Sequence, residues 1–249
     1  MGFWFVAKQV IKEADVVVVV FDARFPELSE NDEIRQQIEQ KGKRSVMVLN
    51  KSDLISEGGK SRLKERYPDA FFVSSKLDRG VDKLRDHLFL LAKEEGKLNL
   101  KVGIVGYPNV GKSMLINALA SRRRANVSSV AGTTKGIQFI KVGTLKILDS
   151  PGVITLEDKE RKLGFIGAKN AEDLKNPERI ACDIIRYVKE RNPALIKELY
   201  GVECDKNDVY EIFLDIAKTK GWIFKKGEVD ETRAALNIIR DWQKGKLSI

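Results

Sequence analysis

A glycine-bearing octapeptide, GYPNVGKS, occupies residues 106–113 and fits the pattern G-x-x-x-x-G-K-[ST]. It follows the apolar run KVGIV and precedes the helical pattern MLINALA. In such a loop the glycines let backbone N–H groups wrap around a phosphate, the lysine reaches the β- and γ-phosphates, and the hydroxyl binds Mg²⁺. A plain turn would explain the glycines but not Lys112 and Ser113. The octapeptide therefore predicts a nucleotide phosphate site formed by Asn109, Val110, Gly111, Lys112, Ser113 and Met114.

Two later segments can complete the phosphate chemistry. The apolar run LKILD ends at Asp149, which is placed to hold Mg²⁺ through its water shell, and Gly152 can offer its N–H to the γ-phosphate. The segment AGTTKG at 131–136 offers Thr134 for the Mg²⁺ shell, with Thr133 as the alternative. Each segment alone is typical of a turn or a polar loop. After a phosphate loop, they predict Ser113, Thr134 and Asp149 as Mg²⁺ residues and Lys112, Thr134 and Gly152 as catalytic residues.

A second constellation, NKSD at residues 50–53, follows the apolar run SVMVL. Asp53 can accept hydrogen bonds from guanine N1–H and the 2-amino group, which adenine does not offer in that form. Asn50 can brace the loop and face the N7 edge of the purine, and the aliphatic stem of Lys51 can lie over the ring. Taken alone, NKSD is also compatible with an ordinary turn that carries an aspartate N-cap.

The tripeptide SSK at residues 74–76 decides between these two interpretations. It follows another apolar run, AFFV, so the Ser75 N–H can meet guanine O6 and Lys76 can cover the other face of the ring. An ordinary turn explains neither this second segment nor the phosphate loop, and the pair of base motifs argues against ATP. The predicted base-binding residues are Asn50, Lys51, Asp53, Ser74, Ser75 and Lys76.

The elements that must position these residues alternate between short strands and helices from Asp15 to Gly152. Continuous apolar runs are typical of strands covered on both faces, so we predict an α/β fold with a mainly parallel sheet. After Ile154 the strand signals end and helical patterns take over. The predicted strands are 16–21, 45–49, 70–73, 100–105, 137–142 and 145–148; the predicted helices are 31–40, 60–66, 81–95, 112–120, 177–191, 193–200, 206–218 and 230–245. We expect a P-loop domain over residues 1–155, a switch and linker over 156–176, and a small all-helical domain over 177–249.

The base motifs precede the phosphate motifs, which reverses the order of ordinary small GTPases. That order is typical of circularly permuted GTPases, and the sequence resembles the YlqF/RbgA and YawG branch of that family. Two further segments carry the resemblance, VVVVVFDARFPELSEN near the N-terminus and GEVDETRAALNIIRDWQKGKL near the C-terminus. The resemblance extends over nearly the whole chain. It implies a P-loop GTPase that works in large ribosomal subunit assembly, with GTP or GDP, rRNA and a subunit precursor as partners.

Two positions depart from the residues that related GTPases use to activate water. Val153 stands after Gly152, where many GTPases have a glutamine, and valine cannot polarise water. Some family members carry a histidine near the N-terminus, but Phe5 stands at or near that place, and the only histidine, His87, lies in a predicted helix. We expect slow hydrolysis, assisted by the ribosomal particle and by K⁺ held at Asn109, unless Asn109 only caps the turn. The alternative function is a nucleotide-binding scaffold that hydrolyses little GTP and acts through protein contacts.

The chain is basic, with 45 Lys and Arg against 36 Asp and Glu. Almost all of the excess lies in the first 154 residues, which favours a polyanionic partner, although a single cluster such as residues 122–124 is by itself typical of a solvated surface. No apolar run approaches the ~20 residues of a membrane span, and no secretory signal is recognisable. We therefore expect a cytoplasmic, monomeric protein whose two cysteines, Cys182 and Cys204, are thiols.

Overall fold

Seven strands form one sheet in the order β3-β2-β1-β4-β7-β6-β5, within the residues that the computed structural model describes: 3–121, 129–131, 138–154 and 158–249. The strands are β1 (Val16–Asp22), β2 (Arg44–Asn50), β3 (Phe71–Phe72), β4 (Leu100–Val105), β5 (Ser129–Ala131), β6 (Gln138–Val142) and β7 (Leu145–Asp149). Neighbours from β3 to β7 are parallel, and β6 is antiparallel to both β5 and β7. The mainly parallel sheet predicted from the apolar runs is confirmed.

The helices agree with the predicted pattern to within about a turn at each end. They are α1 (Phe3–Glu13), α2 (Asp32–Gln40), α3 (Glu57–Arg66), α4 (Val81–Glu94), α5 (Lys112–Ser121), α6 (Glu160–Phe165), α7 (Pro177–Lys189), α8 (Pro193–Tyr200), α9 (Val209–Thr219) and α10 (Glu231–Gln243). Helices α7 to α10 confirm the helical character of the C-terminal region. Sequence analysis missed α1 and α6.

Strand β1 lies in the middle of the parallel part of the sheet, and all but one of its residues are buried. One face of the sheet is covered by α1, which packs Ala7, Val10 and Ile11 into the core. The approach of α1 is close at Gly103 of β4, where a Cβ atom would lie 2.9 Å from Val10 Cγ1. Glycine at that position is therefore what allows the helix to sit against the strand.

The chain forms two compact units, one made of Met1–Asp53 and Glu57–Leu156, the other of Leu54–Ser56 and Glu157–Ile249. The second unit includes all but the first residue of the segment 156–176, which the sequence predicted as a switch and linker. Trp242 Nε1 donates to the Phe165 carbonyl at 2.6 Å, and Gln243 Nε2 donates to the Lys169 carbonyl at 3.1 Å. Because these bonds fix the segment to α10, the helical unit begins before the predicted boundary at residue 177. In the described residues, no helix is both long enough and apolar enough to cross a bilayer.

Candidate guanine-nucleotide site

The residues of interest lie where the parallel strands end at their carboxyl termini. Asp22 and Asn50 are paired across β1 and β2, and Ile104 of β4 is paired with Asp149 of β7. The phosphate loop begins directly after β4. In open α/β sheets, ligands bind at this edge. The strand order therefore brings the predicted base motif and the predicted phosphate motifs to one edge, although they are far apart in the sequence.

Lys112, the first residue of α5, turns back over the phosphate loop. Its Nζ donates to the carbonyl oxygens of Gly106 at 3.1 Å and Tyr107 at 2.7 Å. Burial lowers the pKa of Lys112 to about 8, and the Asp149 carboxylate acts in the opposite direction. A phosphate group beside Nζ would favour the charged form and raise this pKa again. The charge of Lys112 therefore favours the binding of an anion in the loop.

Close backbone contacts fix the shape of the loop at two glycines. Gly111 has φ +97°, and a Cβ there would collide with the Asn50 side-chain amide. A Cβ on Gly152 would lie 2.5 Å from Pro108 Cα, inside the phosphate loop. The Val153 N–H also donates to the Gly106 carbonyl at 3.2 Å. The segment that ends in Gly152 is thus held directly against the phosphate loop, as a γ-phosphate contact from Gly152 would require.

The carboxylate of Asp149 has the features expected of an Mg²⁺ site. Its Oδ1 is buried and accepts no hydrogen bond within the described part of the chain. Burial raises the pKa of Asp149, and Lys112 and the Ser150 backbone oppose this shift. A divalent cation would satisfy a buried carboxylate oxygen of this kind. Ser113 lies at the exposed start of α5, whereas Thr134, Thr133 and the arginines at 122–124 lie outside the described residues.

Asn50 is the residue that joins the three motifs. Its Nδ2 donates to the Val110 carbonyl at 2.8 Å, which ties the base motif to the phosphate loop. Its Oδ1 accepts from the Ser75 N–H at 3.1 Å and from the Ser75 hydroxyl at 2.9 Å. The predicted bracing role of Asn50 thus has a structural counterpart. The Ser75 N–H, which sequence reasoning assigned to guanine O6, donates to Asn50 because β2 and β3 end side by side.

Two other predicted base residues have distinct surroundings. Asp53 Oδ1 is buried and accepts no hydrogen bond from the described residues, so it is placed to accept from a ligand such as guanine. Ser74 shapes the neighbouring loop, since its hydroxyl accepts from the Leu77 N–H at 3.2 Å and its backbone pairs with Arg79. Lys76 is exposed in that loop, as Met114 is in α5.

Lys51 leads to two residues that sequence reasoning did not assign. Its Nζ forms an ion pair with Asp22 Oδ2 at 2.7 Å, and the same carboxylate pairs with Arg24 at 2.9 Å. Asp22 and Arg24 belong to the DAR segment that was noted only as part of the resemblance. An acidic residue that closes a run of buried valines is the signal that could have singled out Asp22.

Comparison with known proteins agrees with this architecture. The family described as RsgA GTPase matches residues 4–158, and the family described as 50S ribosome-binding GTPase matches residues 101–218. An uncharacterized GTP-binding protein of Methanocaldococcus jannaschii is 40% identical over 98% of this chain and 65% of its own length. Nuclear/nucleolar GTPase 2 of Oryza sativa is 32% identical over 98% of this chain and 47% of its own. This chain thus spans less than two thirds of the length of either relative.

Ribosome biogenesis GTPase A of Bacillus cereus is 29% identical over 95% of this chain and 85% of its own length. The crystal structure of GNP-bound YlqF from T. maritima matches with a TM-score of 0.61 and 25% identity, covering 97% of this chain and 93% of that one. The reversed motif order, the strand order and these matches agree with one another. The chain belongs to the circularly permuted GTPase family that includes YlqF and RbgA.

Proposed function

We propose that this protein binds GTP with Mg²⁺, hydrolyses it to GDP and phosphate, and acts as a switch in large ribosomal subunit assembly through rRNA or a subunit precursor. The observation that carries the nucleotide part is the Asn50 side chain, which links NKSD, SSK and the phosphate loop through three hydrogen bonds. Among the described residues, Asp53 Oδ1 and Asp149 Oδ1 are buried and accept no hydrogen bond. They suit the guanine edge and the metal of one bound nucleotide.

The ribosomal part of the proposal rests on family membership and on the basic charge of the first 154 residues. Ribosome biogenesis GTPase A of Bacillus cereus is similar over most of its own length. RNA binding by a basic surface weakens as salt is raised. We place the nucleotide domain at residues 1–155. The helical domain, predicted at 177–249, extends back into the predicted switch and linker segment at 156–176. We expect the protein to act in the cytoplasm.

Val153 favours the scaffold as a second candidate function. Its side chain is buried in the core among Ala7, Val10 and Leu148, and therefore does not orient an attacking water. Hydrolysis must then be assisted from elsewhere, and we propose K⁺ held by Asn109 together with the ribosomal particle. A cation there would meet the negative charge that develops between the β- and γ-phosphates. Asn109 also has φ +60°, which asparagine tolerates well, so a purely structural turn role competes with this one.

The test is multiple-turnover GTP hydrolysis by the purified protein, measured with and without large ribosomal subunits. Co-sedimentation with the same subunits in GDP and in a non-hydrolysable GTP analogue measures the partner directly. We expect hydrolysis above one turnover, stimulation by the subunits and nucleotide-dependent co-sedimentation. Subunit binding with less than one turnover in every condition would favour the scaffold. Hydrolysis without stimulation or co-sedimentation would remove the ribosomal part and leave the GTPase.

A further inference from the structure

Asp22 closes β1 as a fully buried carboxylate with two cationic partners. Its Oδ1 accepts from the Arg24 N–H at 3.1 Å and from Arg24 Nε at 3.0 Å. Its Oδ2 accepts from an Arg24 terminal nitrogen at 2.9 Å and pairs with Lys51 Nζ at 2.7 Å. Both carboxylate oxygens are thus used, and only one of the four contacts reaches outside the DAR segment. That contact goes to the second residue of the predicted base motif.

The backbone places Lys51 where this contact can form. Asp22 and Asn50 are aligned across the parallel strands, and the Ala23 N–H donates to the Asn50 carbonyl at 2.8 Å. Lys51 then takes φ +60°, an unfavourable conformation for a long side chain. The turn sends its side chain back over the end of β1, where four fifths of it is hidden from solvent. The ion pair with Asp22 therefore stabilises a lysine whose backbone alone does not favour this position.

The electrostatics of the cluster agree with a fixed role. Burial by itself would raise the pKa of Asp22, but Arg24 and Lys51 lower it to about 2, so the carboxylate is charged at any physiological pH. Burial lowers the pKa of Lys51, and Asp22 and Asp53 oppose that shift. Because Arg24 already forms a complete fork with Asp22, the second cation is not needed to neutralise the carboxylate. Since Lys51 is not needed for neutralisation, its ion pair with Asp22 is more easily explained by the position that it gives Lys51 in the base motif.

We propose that Asp22 is a positioning residue for guanine recognition, which acts by fixing the Lys51 side chain so that its stem covers the purine and Asp53 is aimed at the base. This inference rests on the proposed function, because it assumes that NKSD binds guanine. Arg24 and Lys51 engage both carboxylate oxygens of Asp22, so Asp22 would act on the base through Lys51 and not by direct contact. A merely structural carboxylate would stabilise the end of β1 without changing which base is bound.

The test is a double-mutant cycle on nucleotide affinity with Asp22→Asn, Lys51→Met and the double variant. Affinities for fluorescent GDP and for IDP, which lacks the 2-amino group that Asp53 would accept from, are measured by titration. Lys51→Met keeps an apolar stem and the Asp22–Arg24 fork but removes the tie. The matched control is Asp15→Asn at the opposite end of β1, where the carboxylate also pairs with a lysine, Lys97 at 2.9 Å.

We expect Asp22→Asn and Lys51→Met each to weaken GDP binding at least tenfold and to reduce the preference for GDP over IDP. In the Lys51→Met background, Asp22→Asn should weaken GDP binding less than threefold, because the Lys51 ammonium through which Asp22 would act is already absent. The GDP affinity of Asp15→Asn should stay within twofold of the parent value. If Asp22→Asn weakens GDP binding equally in the parent and in the Lys51→Met background, the proposal is overturned. Unchanged GDP affinity of a folded Asp22→Asn variant would overturn it as well.

If Asp22→Asn does not fold, Lys51→Met alone decides. Parent-like GDP affinity and an unchanged GDP to IDP preference in Lys51→Met would refute positioning through Lys51. A parent protein that binds neither GDP nor GTP would refute the proposed function, and the positioning role would fall with it. A parent that binds GDP beside insensitive variants would refute only the positioning role.

Discussion

Replacing Asn50 by alanine should remove the connection between the base motif and the phosphate loop. Asn50 is 2% exposed, and its side chain makes three hydrogen bonds, one to Val110 and two to Ser75. A hydrogen bond contributes about 1 kcal/mol net to stability, and a buried partner left unpaired adds to the loss. We therefore expect Asn50→Ala to lower the free energy of unfolding by about 3 kcal/mol, a large fraction of the total for an ordinary domain.

Two further variants make this magnitude a graded test. Ser75→Ala removes only the hydroxyl bond to Asn50, so we expect a loss of about 1 kcal/mol. Asn99→Ala, at an exposed asparagine in the same unit, should stay within about 0.5 kcal/mol of the parent. The measurement is urea denaturation of the nucleotide-free protein, followed by circular dichroism at fixed pH and salt. Affinity for GDP is measured on the same samples.

The loss in free energy of unfolding should decrease in the order Asn50→Ala, Ser75→Ala, Asn99→Ala. Asn50→Ala should cost the most and should also weaken GDP binding, because Val110 and Ser75 lose their common anchor. An Asn50→Ala loss no greater than that of Ser75→Ala would mean that the bond to Val110 contributes nothing. A loss below about 1 kcal/mol with normal GDP affinity would refute the view of Asn50 as the residue that joins the motifs.

Three other outcomes follow from the site. GDP affinity, measured by fluorescent-GDP titration, should fall as pH rises above about 8, because Lys112 loses its proton there in the free protein, whereas bound phosphate raises the pKa of Lys112. Lys112→Arg stays charged and should abolish this pH dependence. A GDP affinity of the parent that does not change with pH would contradict the assignment of Lys112 to the phosphate site. Asp53→Asn should weaken GTP binding and favour xanthine nucleotide in competition assays, whereas parent-like GTP binding that ignores XTP would reject the base-site assignment. GTP hydrolysis should be faster in KCl than in NaCl at equal ionic strength. Asn109→Gly accommodates the φ +60° turn but lacks the side-chain amide oxygen, so it should remove the difference between the salts. Equal parent rates in both salts, with and without ribosomal subunits, would refute the K⁺ proposal.

The sheet and the phosphate loop could be predicted because their signals are local. A run such as VVVVVFD needs no knowledge of its neighbours to be recognised as a buried strand. Helix α1 was missed because the N-terminal stretch was interpreted only for a secretory signal and for the place of a family histidine, not for helical periodicity. Its apolar residues Ala7, Val10 and Ile11 nevertheless follow helical spacing and pack on the sheet.

The ion pair between Asp22 and Lys51 could not be predicted from local signals, because it depends on which strand lies beside β1. Only the parallel register of β1 and β2 sets Asp22 opposite Asn50 and brings Lys51 within reach. A second neighbour relation, the pairing of β2 with β3, explains why the Ser75 N–H donates to Asn50 Oδ1. Motif logic assigns donors to a ligand but does not reveal the protein groups that compete for them.

Circular permutation changes the chain order of this site without changing the spatial order of its strands. The parallel strands β2, β1, β4 and β7 are consecutive neighbours, so the strand ends before Asp53 and at Asp149 are three strand spacings apart, about 14 Å. An extended nucleotide would lie along that edge. The bond between Asn50 and Val110 joins residues 60 positions apart and crosses from the base half to the phosphate half. Such non-local contacts form only after both halves of the sheet are paired, so neither motif is fully shaped until β1 and β4 have come together.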